Sequence, residues 1–170
     1  MQNMEHNMPL ANNHISVDCV VIGFDGEQLK VLLIKRAGEE EGEIFHDMKI
    51  DRALNRDLDD YMASWVALPD IKALAFDHNL IIKEAMTYIR QYIEFNPSSL
   101  FDLLPRKFTA SQLRTLYELL YGKQIDVRNF HKKIALMEYV VPLEEKQQGV
   151  AHRAARYYRF DKKIYNKVRR

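Results

Sequence analysis

Residues 108–134 read FTASQLRTLYELLYGKQIDVRNFHKKI, and this stretch predicts two consecutive helices joined by a short turn. Thr109 stands three residues before Gln112, the spacing of a capping box, in which each side chain accepts a hydrogen bond from the other residue's backbone N–H. Gly122 should end the first helix, and Asp126 stands where it can cap the second. Apolar residues at helical spacing predict two buried faces: Leu113, Leu116, Tyr117 and Leu120 in the first helix, and Val127, Phe130, Ile134 and Met137 in the second.

The second helix carries polar side chains on the face opposite its apolar residues. Arg128 and Asn129, near its start, are suited to base edges, because a guanidinium pairs with guanine and a carboxamide with adenine. Lysines are better suited to phosphates, which set affinity and register but carry no sequence information. Each of these residues taken singly is also compatible with a solvated surface. The complete predicted set is Arg128, Asn129, His131, Lys132 and Lys133.

Two strands around a loop are predicted after these helices, over residues 139–143 and 155–160, with a polar tip from Glu144 to Arg153. Helix, turn, helix and hairpin together predict a winged helix. Basic side chains of the wing can reach the flanking DNA backbone or minor groove. These are His152, Arg153, Arg156 and Arg159. Neither His131 nor His152 has a second ligand at a useful spacing, so we predict no metal site and no cofactor.

The charge of the chain changes sign near Leu104. Residues 1–104 carry 9 Lys and Arg against 18 Asp and Glu, whereas residues 105–170 carry 16 against 6, so the two parts stand at −9 and +10. An acidic part joined to a basic one indicates a module that faces nucleic acid or an anionic membrane surface. Together with the polar helix face and the basic hairpin, this charge favours DNA binding.

Upstream, the runs Ile15–Phe24 and Leu29–Ile34 are rich in β-branched residues and predict a β-hairpin around Asp25-Gly26. An amphipathic helix is predicted from Asp77, as its N-cap, to Phe95. Its apolar positions are Leu80, Ile81, Ala85, Met86, Ile89 and Ile93. Asn96-Pro97-Ser98-Ser99 should end this helix, and we predict a linker over residues 96–107.

Three groups of motifs resemble Nudix-related transcriptional regulators, in which a Nudix-like domain precedes a winged helix. The first is the FTASQLRTLYE stretch with RNFHKKI and the later GVAHR at residues 149–153. WVALP at 65–69 and LAFDH at 74–78 are similar to the end of the Nudix-like domain, and residues 17–36 are similar to its opening hairpin. Ala154 departs from the pattern, since the family often has Pro after His-Arg.

The Nudix box itself, G-x5-E-x7-R-E-x-x-E-E-x-G, has no counterpart in this sequence. Its carboxylates hold the divalent metals that assist diphosphate hydrolysis, so we predict that the chain is not an enzyme. Glu39-Glu40-Glu41 and Glu144-Glu145 lack the required spacing and are interpreted as a solvated loop and a wing tip. Only 28 residues separate the hairpin from Trp65, which predicts a seam near Lys49-Ile50 where the middle of the domain is missing.

The predicted fold class is α+β, an incomplete Nudix-like α/β sandwich followed by a winged helix-turn-helix domain. Its predicted divisions are a flexible N-terminus at 1–13, a Nudix-like effector and dimerisation domain at 14–95, the linker, and a DNA-binding domain at 108–170. The resemblance implies a homodimeric repressor or activator of pentose or NAD metabolism that binds a double-stranded operator. Its effector would be arabinose, ADP-ribose or a related metabolite, with Lys35 and Arg36 as candidate contacts.

Two other functions are compatible with the sequence. The first is a Nudix hydrolase acting on a substrate such as ADP-ribose, which requires its carboxylates to lie in a segment outside these residues. Alternatively the basic domain binds RNA or a protein, with Tyr157, Tyr158 and Tyr165 as candidates for base stacking. Cys19 is the single cysteine, and no apolar run is long enough to cross a membrane, so we expect a soluble cytoplasmic protein.

Overall fold

A computed structural model describes residues 19–34, 63–149 and 154–169. Several predictions fall outside these ranges: the N-terminal segment 1–13, Lys35 and Arg36, the glutamates at 39–41, the seam near Lys49-Ile50, and His152 and Arg153. Within the described ranges the chain forms two three-stranded antiparallel sheets and four α-helices. No helix among these residues is long and apolar enough to span a bilayer.

The first sheet contains strands β1 (Ile22–Phe24), β2 (Leu29–Ile34) and β3 (Ala63–Ala67), in that order. The hairpin prediction is confirmed for β1 and β2, in which Phe24 lies opposite Leu29. Gly26 adopts a φ of 104° in the turn, which glycine does at little cost. Asp25 Oδ1 accepts hydrogen bonds from the N–H groups of Glu27 and Gln28. The hydrogen bond from Lys30, followed by these backbone donors, holds the pKa of Asp25 well below its usual range.

Helix α1 spans His78–Phe95 and packs through Ile82, Met86 and Ile93. One detail of its prediction is wrong: Leu80 was predicted to face inward but is 55% exposed, because the buried stripe is rotated toward Ile82. Asp77 occupies the N-cap position as predicted. Its side chain makes no capping hydrogen bond, and its backbone, with φ −99° and ψ 12°, is not the extended form usual at an N-cap.

A 3₁₀ helix at Pro97–Leu103 follows α1, which ends at Phe95 with Asn96 as its C-cap, where the sequence predicted the end of the helix. The segment predicted as a linker is packed into the core through Leu100, Phe101 and Leu104. The ring of Phe101 stacks on Phe160, with centroids 4.3 Å apart and planes 6° from parallel. The residue bounds of the two domains remain a prediction, but this segment packs with the second of them.

The second sheet and three helices follow. Strands β4 (Phe108–Thr109), β5 (Val140–Lys146) and β6 (Arg156–Phe160) are arranged in the order β4-β6-β5. Helices α2 (Ala110–Tyr121) and α3 (Val127–Ala135) lie between β4 and β5, and α4 (Lys162–Val168) comes last. Neither β4 nor α4 was predicted from the sequence. Glu144 and Glu145 were predicted in the wing tip, whereas both lie in β5.

One hydrophobic core connects the two parts of the chain. Leu29 of β2, together with Met86 and Ile93 of α1, belongs to the same buried cluster as Leu113 and Phe130 of the winged helix. Arg169 adds a polar contact, because its Nη2 donates to the carbonyl oxygen of Phe95 at 2.9 Å. The described segments therefore pack around a shared interior.

Candidate nucleic-acid interface

Helix α2 begins and ends as its sequence predicts. The Oγ1 of Thr109 accepts a hydrogen bond from the N–H of Gln112 at 3.2 Å, and the Oε1 of Gln112 accepts one from the N–H of Thr109 at 2.9 Å. This is a complete capping box. Gly122 ends the helix in the left-handed region, with φ 63°.

The turn between α2 and α3 is held by side chains of α2. The Oε1 of Glu118 accepts a hydrogen bond from the N–H of Ile125 at 2.8 Å, and Arg114 donates to the carbonyl oxygen of Ile125 at 3.4 Å. Asp126 then caps α3, since its Oδ1 accepts a hydrogen bond from the N–H of Asn129 at 2.9 Å. These contacts fix the position at which α3 starts relative to α2.

Helix α3 is anchored by Phe130 and Ile134, which are buried against α2, and by Met137 just beyond its end. The ring of Tyr117 packs against that of Phe130 with centroids 5.8 Å apart. Val127 was predicted to face inward, but it is 49% exposed, because the first turn of α3 projects beyond the core. The polar residues of the predicted recognition face are all exposed: Arg128, Asn129, His131, Lys132 and Lys133.

Lys133 differs from the other members of this face. Its ammonium group lies 4.4 Å from the centroid of the Tyr117 ring, within the range of a cation–π contact. Burial raises the pKa of Tyr117 to about 12, so the ring stays neutral at physiological pH. Lys133 is thus engaged with α2, whereas the structure gives Arg128, Lys132 and the side chain of Asn129 no partner among the described residues.

The wing carries Arg156, which is exposed at the start of β6. Arg156 and His131 line one open cleft of about 540 Å³ between α3 and the β5–β6 hairpin. The structure thus brings together two of the predicted site residues and adds Lys146 and Ser111. Sequence reasoning missed Lys146 because it lay in the predicted polar tip. Arg159 is held by Asp161, 3.1 Å away, and the hydrogen bonds of that capping carboxylate keep the pKa of Asp161 low.

The three tyrosines considered for RNA stacking do not form an exposed surface on which bases can stack. Tyr165 is buried, and its ring packs edge-on against Tyr139 with centroids 5.0 Å apart. Tyr157 and Tyr158 are half-buried in β6, which pairs on both sides. For the described parts of the chain, no group of three or more His, Cys, Asp and Glu residues is arranged to hold a metal ion.

Comparison with known proteins shows what the second half of the chain is similar to. Residues 100–160 match the family model of the NrtR DNA-binding winged helix domain. The chain is also 27% identical over 107 residues to the "ADPR responsive transcriptional repressor NtrR" of Acinetobacter baylyi. That match covers 61% of this chain and 42% of the relative, so the chain spans less than half the length of that curated protein.

Solved structures show that the similarity of fold extends further. Shewanella oneidensis NrtR in complex with a 27mer DNA superposes with a TM-score of 0.58 at 18% identity, and NrtR alone with 0.56 at 21%. Each comparison covers 86% of this chain and 93% of the other. The α+β fold class is therefore confirmed. Residues 100–160 are similar to NrtR winged-helix domains, and the predicted resemblance of the chain to Nudix-related regulators is confirmed.

Proposed function

We propose that this chain is a sequence-specific DNA-binding transcriptional regulator of the NrtR type. The observation that carries the proposal is the exposed face of α3, where Arg128, Asn129 and Lys132 project from a helix fixed by the Asp126 cap and the buried Phe130. A recognition helix needs such an arrangement, because its first turns must enter the major groove without losing their support. The net charge of +10 over residues 105–170 favours the approach to DNA.

The remaining predicted contacts complete the proposed interface. Arg128 and Asn129 read base edges, while His131, Lys132 and Arg156 contact the backbone. We retain His152 and Arg153, which lie outside the described residues, as wing contacts. Lys133 contributes its charge, but its contact with Tyr117 makes it a weaker candidate for a direct bond to DNA. The chain binds as a homodimer, so that two copies of α3 read the two halves of a palindromic site.

The effector we propose for the Nudix-like part is ADP-ribose, and the proposed sign of regulation is repression. The matched relative from Acinetobacter baylyi carries both properties in its name. No observation favours the arabinose of the original expectation. Lys35 and Arg36 directly follow β2 in sequence and remain candidate contacts for an anionic effector. The proposed role is ligand sensing rather than catalysis, with double-stranded DNA and the effector as partners.

A DNA-binding titration tests this function. The purified chain is titrated into DNA from upstream of its own gene and into scrambled DNA, at two salt concentrations, with ADP-ribose or arabinose added. We expect sequence-dependent binding that weakens with salt and is released by ADP-ribose. Binding without sequence preference would contradict the proposal. Hydrolysis of ADP-ribose with added Mg²⁺ or Mn²⁺ would instead support the alternative of a Nudix hydrolase.

A further inference from the structure

The register of the wing hairpin changes between its two ends. Val140, Val141 and Pro142 of β5 lie opposite Phe160, Arg159 and Tyr158 of β6, so the regular ladder would place Glu144 opposite Arg156. An irregularity between Pro142 and Lys146 inserts two extra residues in β5. As a result Lys146, and not Glu144, lies opposite Arg156. Bulges of this kind re-aim side chains and commonly lie beside functional sites.

The consequence is an unfavourable pair of like charges. Lys146 and Arg156 lie opposite each other across the ladder and line the same cleft, and like charges placed directly opposite are destabilising. No carboxylate of the described residues pairs with either of them. The neighbouring Glu145 is occupied elsewhere, because its Oε2 lies 2.6 Å from the Nζ of Lys107. An anionic ligand in the cleft would remove this repulsion.

The rest of the cleft has the chemistry of an anion site. His131 reaches it from α3, and Ser111, exposed on the first turn of α2, adds a hydroxyl donor. Among the described residues that line it, none is acidic. The remaining lining residues are Ala110, Ala154, Ala155 and Tyr158, so small side chains leave the approach open.

From this arrangement we propose that the cleft between α3 and the wing is a phosphate site, in which Lys146 and Arg156, with His131 and Ser111, hold one phosphate of the DNA backbone. The inference rests on the proposed DNA-binding function and assigns Lys146 and Ser111 to the interface. The role of this phosphate site is positional, because a phosphate held between the helix and the wing fixes the register of α3 on the duplex.

Two substitutions at Lys146 separate this role from a structural one. Lys146→Ala should weaken binding to operator and scrambled DNA roughly tenfold. It should also lower the slope of log affinity against log salt by about 1. Lys146→Glu should abolish tight binding yet raise the melting temperature by about 1 to 4 °C, because it replaces a like-charge pair with an opposite-charge pair. A lysine with only a structural role would lower the melting temperature in both variants. Lys83→Glu, on α1, is the matched control, and its DNA affinity should not change.

A scan with neutral phosphates then tests the contact itself. Single methylphosphonates are placed along the site that footprinting identifies, and the affinities of the intact chain and of Lys146→Ala are compared. We expect one phosphate per half-site whose neutralisation weakens DNA binding by the intact chain but not by the variant. If neutralisation at every position weakens DNA binding by both proteins equally, the proposed phosphate site is wrong while the proposed function stands. If the intact chain shows no sequence preference, or prefers duplex RNA of the same sequence, the proposed function fails and this inference fails with it.

Discussion

Gly26, in the β1–β2 turn, lies directly against Gln112, in the capping box of α2. A Cβ at Gly26 would stand 2.8 Å from the Nε2 of Gln112, closer than real Cβ atoms approach other heavy atoms. The Oε1 of the same carboxamide is bonded to the backbone of Thr109, so Gln112 cannot move aside without losing half of the capping box. The first sheet therefore touches the winged helix at the start of α2.

This contact predicts that Gly26→Ala destabilises the chain by about 1 to 3 kcal/mol, through its positive φ and the crowding at Gln112. Gly122→Ala is the matched control, because Gly122 also has a positive φ but has open space around it. Urea denaturation should show a larger loss of the free energy of unfolding for Gly26→Ala than for Gly122→Ala. Equal losses in the two variants would mean that a Cβ at position 26 does not clash with Gln112.

The packing of the 3₁₀ helix at Pro97–Leu103 leads to a second prediction about the free energy of unfolding. Phe101→Ala should lower the free energy of unfolding by about 3 to 5 kcal/mol, since it removes a buried ring stacked on Phe160. Phe95→Ala, at a position 76% exposed, should change it by less than about 0.5 kcal/mol. Chemical denaturation measures both. A small loss for Phe101→Ala would restore the interpretation of this segment as a linker.

On the face of α3, two kinds of substitution should act differently on DNA binding. Arg128→Ala or Asn129→Ala should cost about 1 to 3 kcal/mol at the contacted base pair and relax sequence preference there. Lys132→Ala should weaken binding to all sequences equally and reduce its salt dependence. Competition binding with single base-pair variants of the operator distinguishes the two effects. If operator affinity is unchanged in all three variants, α3 is not the recognition helix.

The raised pKa of Tyr117 predicts that the stability of the chain falls at alkaline pH. Its pKa in the folded chain is raised by burial from 10.0 to about 12, so its contribution to stability is complete below pH 10 and is lost as the pH rises toward 12. Tyr117→Phe should therefore reduce the loss of stability over this interval. Denaturation midpoints at pH 9, 10 and 11 would show it, with exposed Tyr88→Phe as the control. A pH profile identical to that of the unsubstituted chain would contradict the assignment.

Local signals in the sequence were sufficient to predict the two central helices. The Thr109–Gln112 box, the Gly122 terminus and the Asp126 cap each depend on residues within a few positions of one another, and all three are confirmed. The hairpin at Asp25-Gly26 is local in the same sense.

What the sequence did not reveal depends on partners distant along the chain. The pairing of β4 with β6 joins Phe108 to Tyr158, and such long-range pairing leaves no periodic signature. Leu80 is exposed because the first sheet covers α1 on the side of Ile82, which lies in one buried cluster with Val31. Likewise, Lys146 could not be predicted as a site residue, because only the register shift of β5 places it opposite Arg156.

The shared core has a thermodynamic consequence. Leu29 and Ile93 lose their buried surroundings if the winged helix unfolds, and Leu113 and Phe130 lose part of theirs if the first sheet and α1 do. The chain should therefore melt in one transition rather than two. A small molecule that binds only the native form of the first part would raise the melting temperature of the whole chain. A fluorophore attached anywhere on the protein surface would therefore report this binding as a shift of the melting temperature.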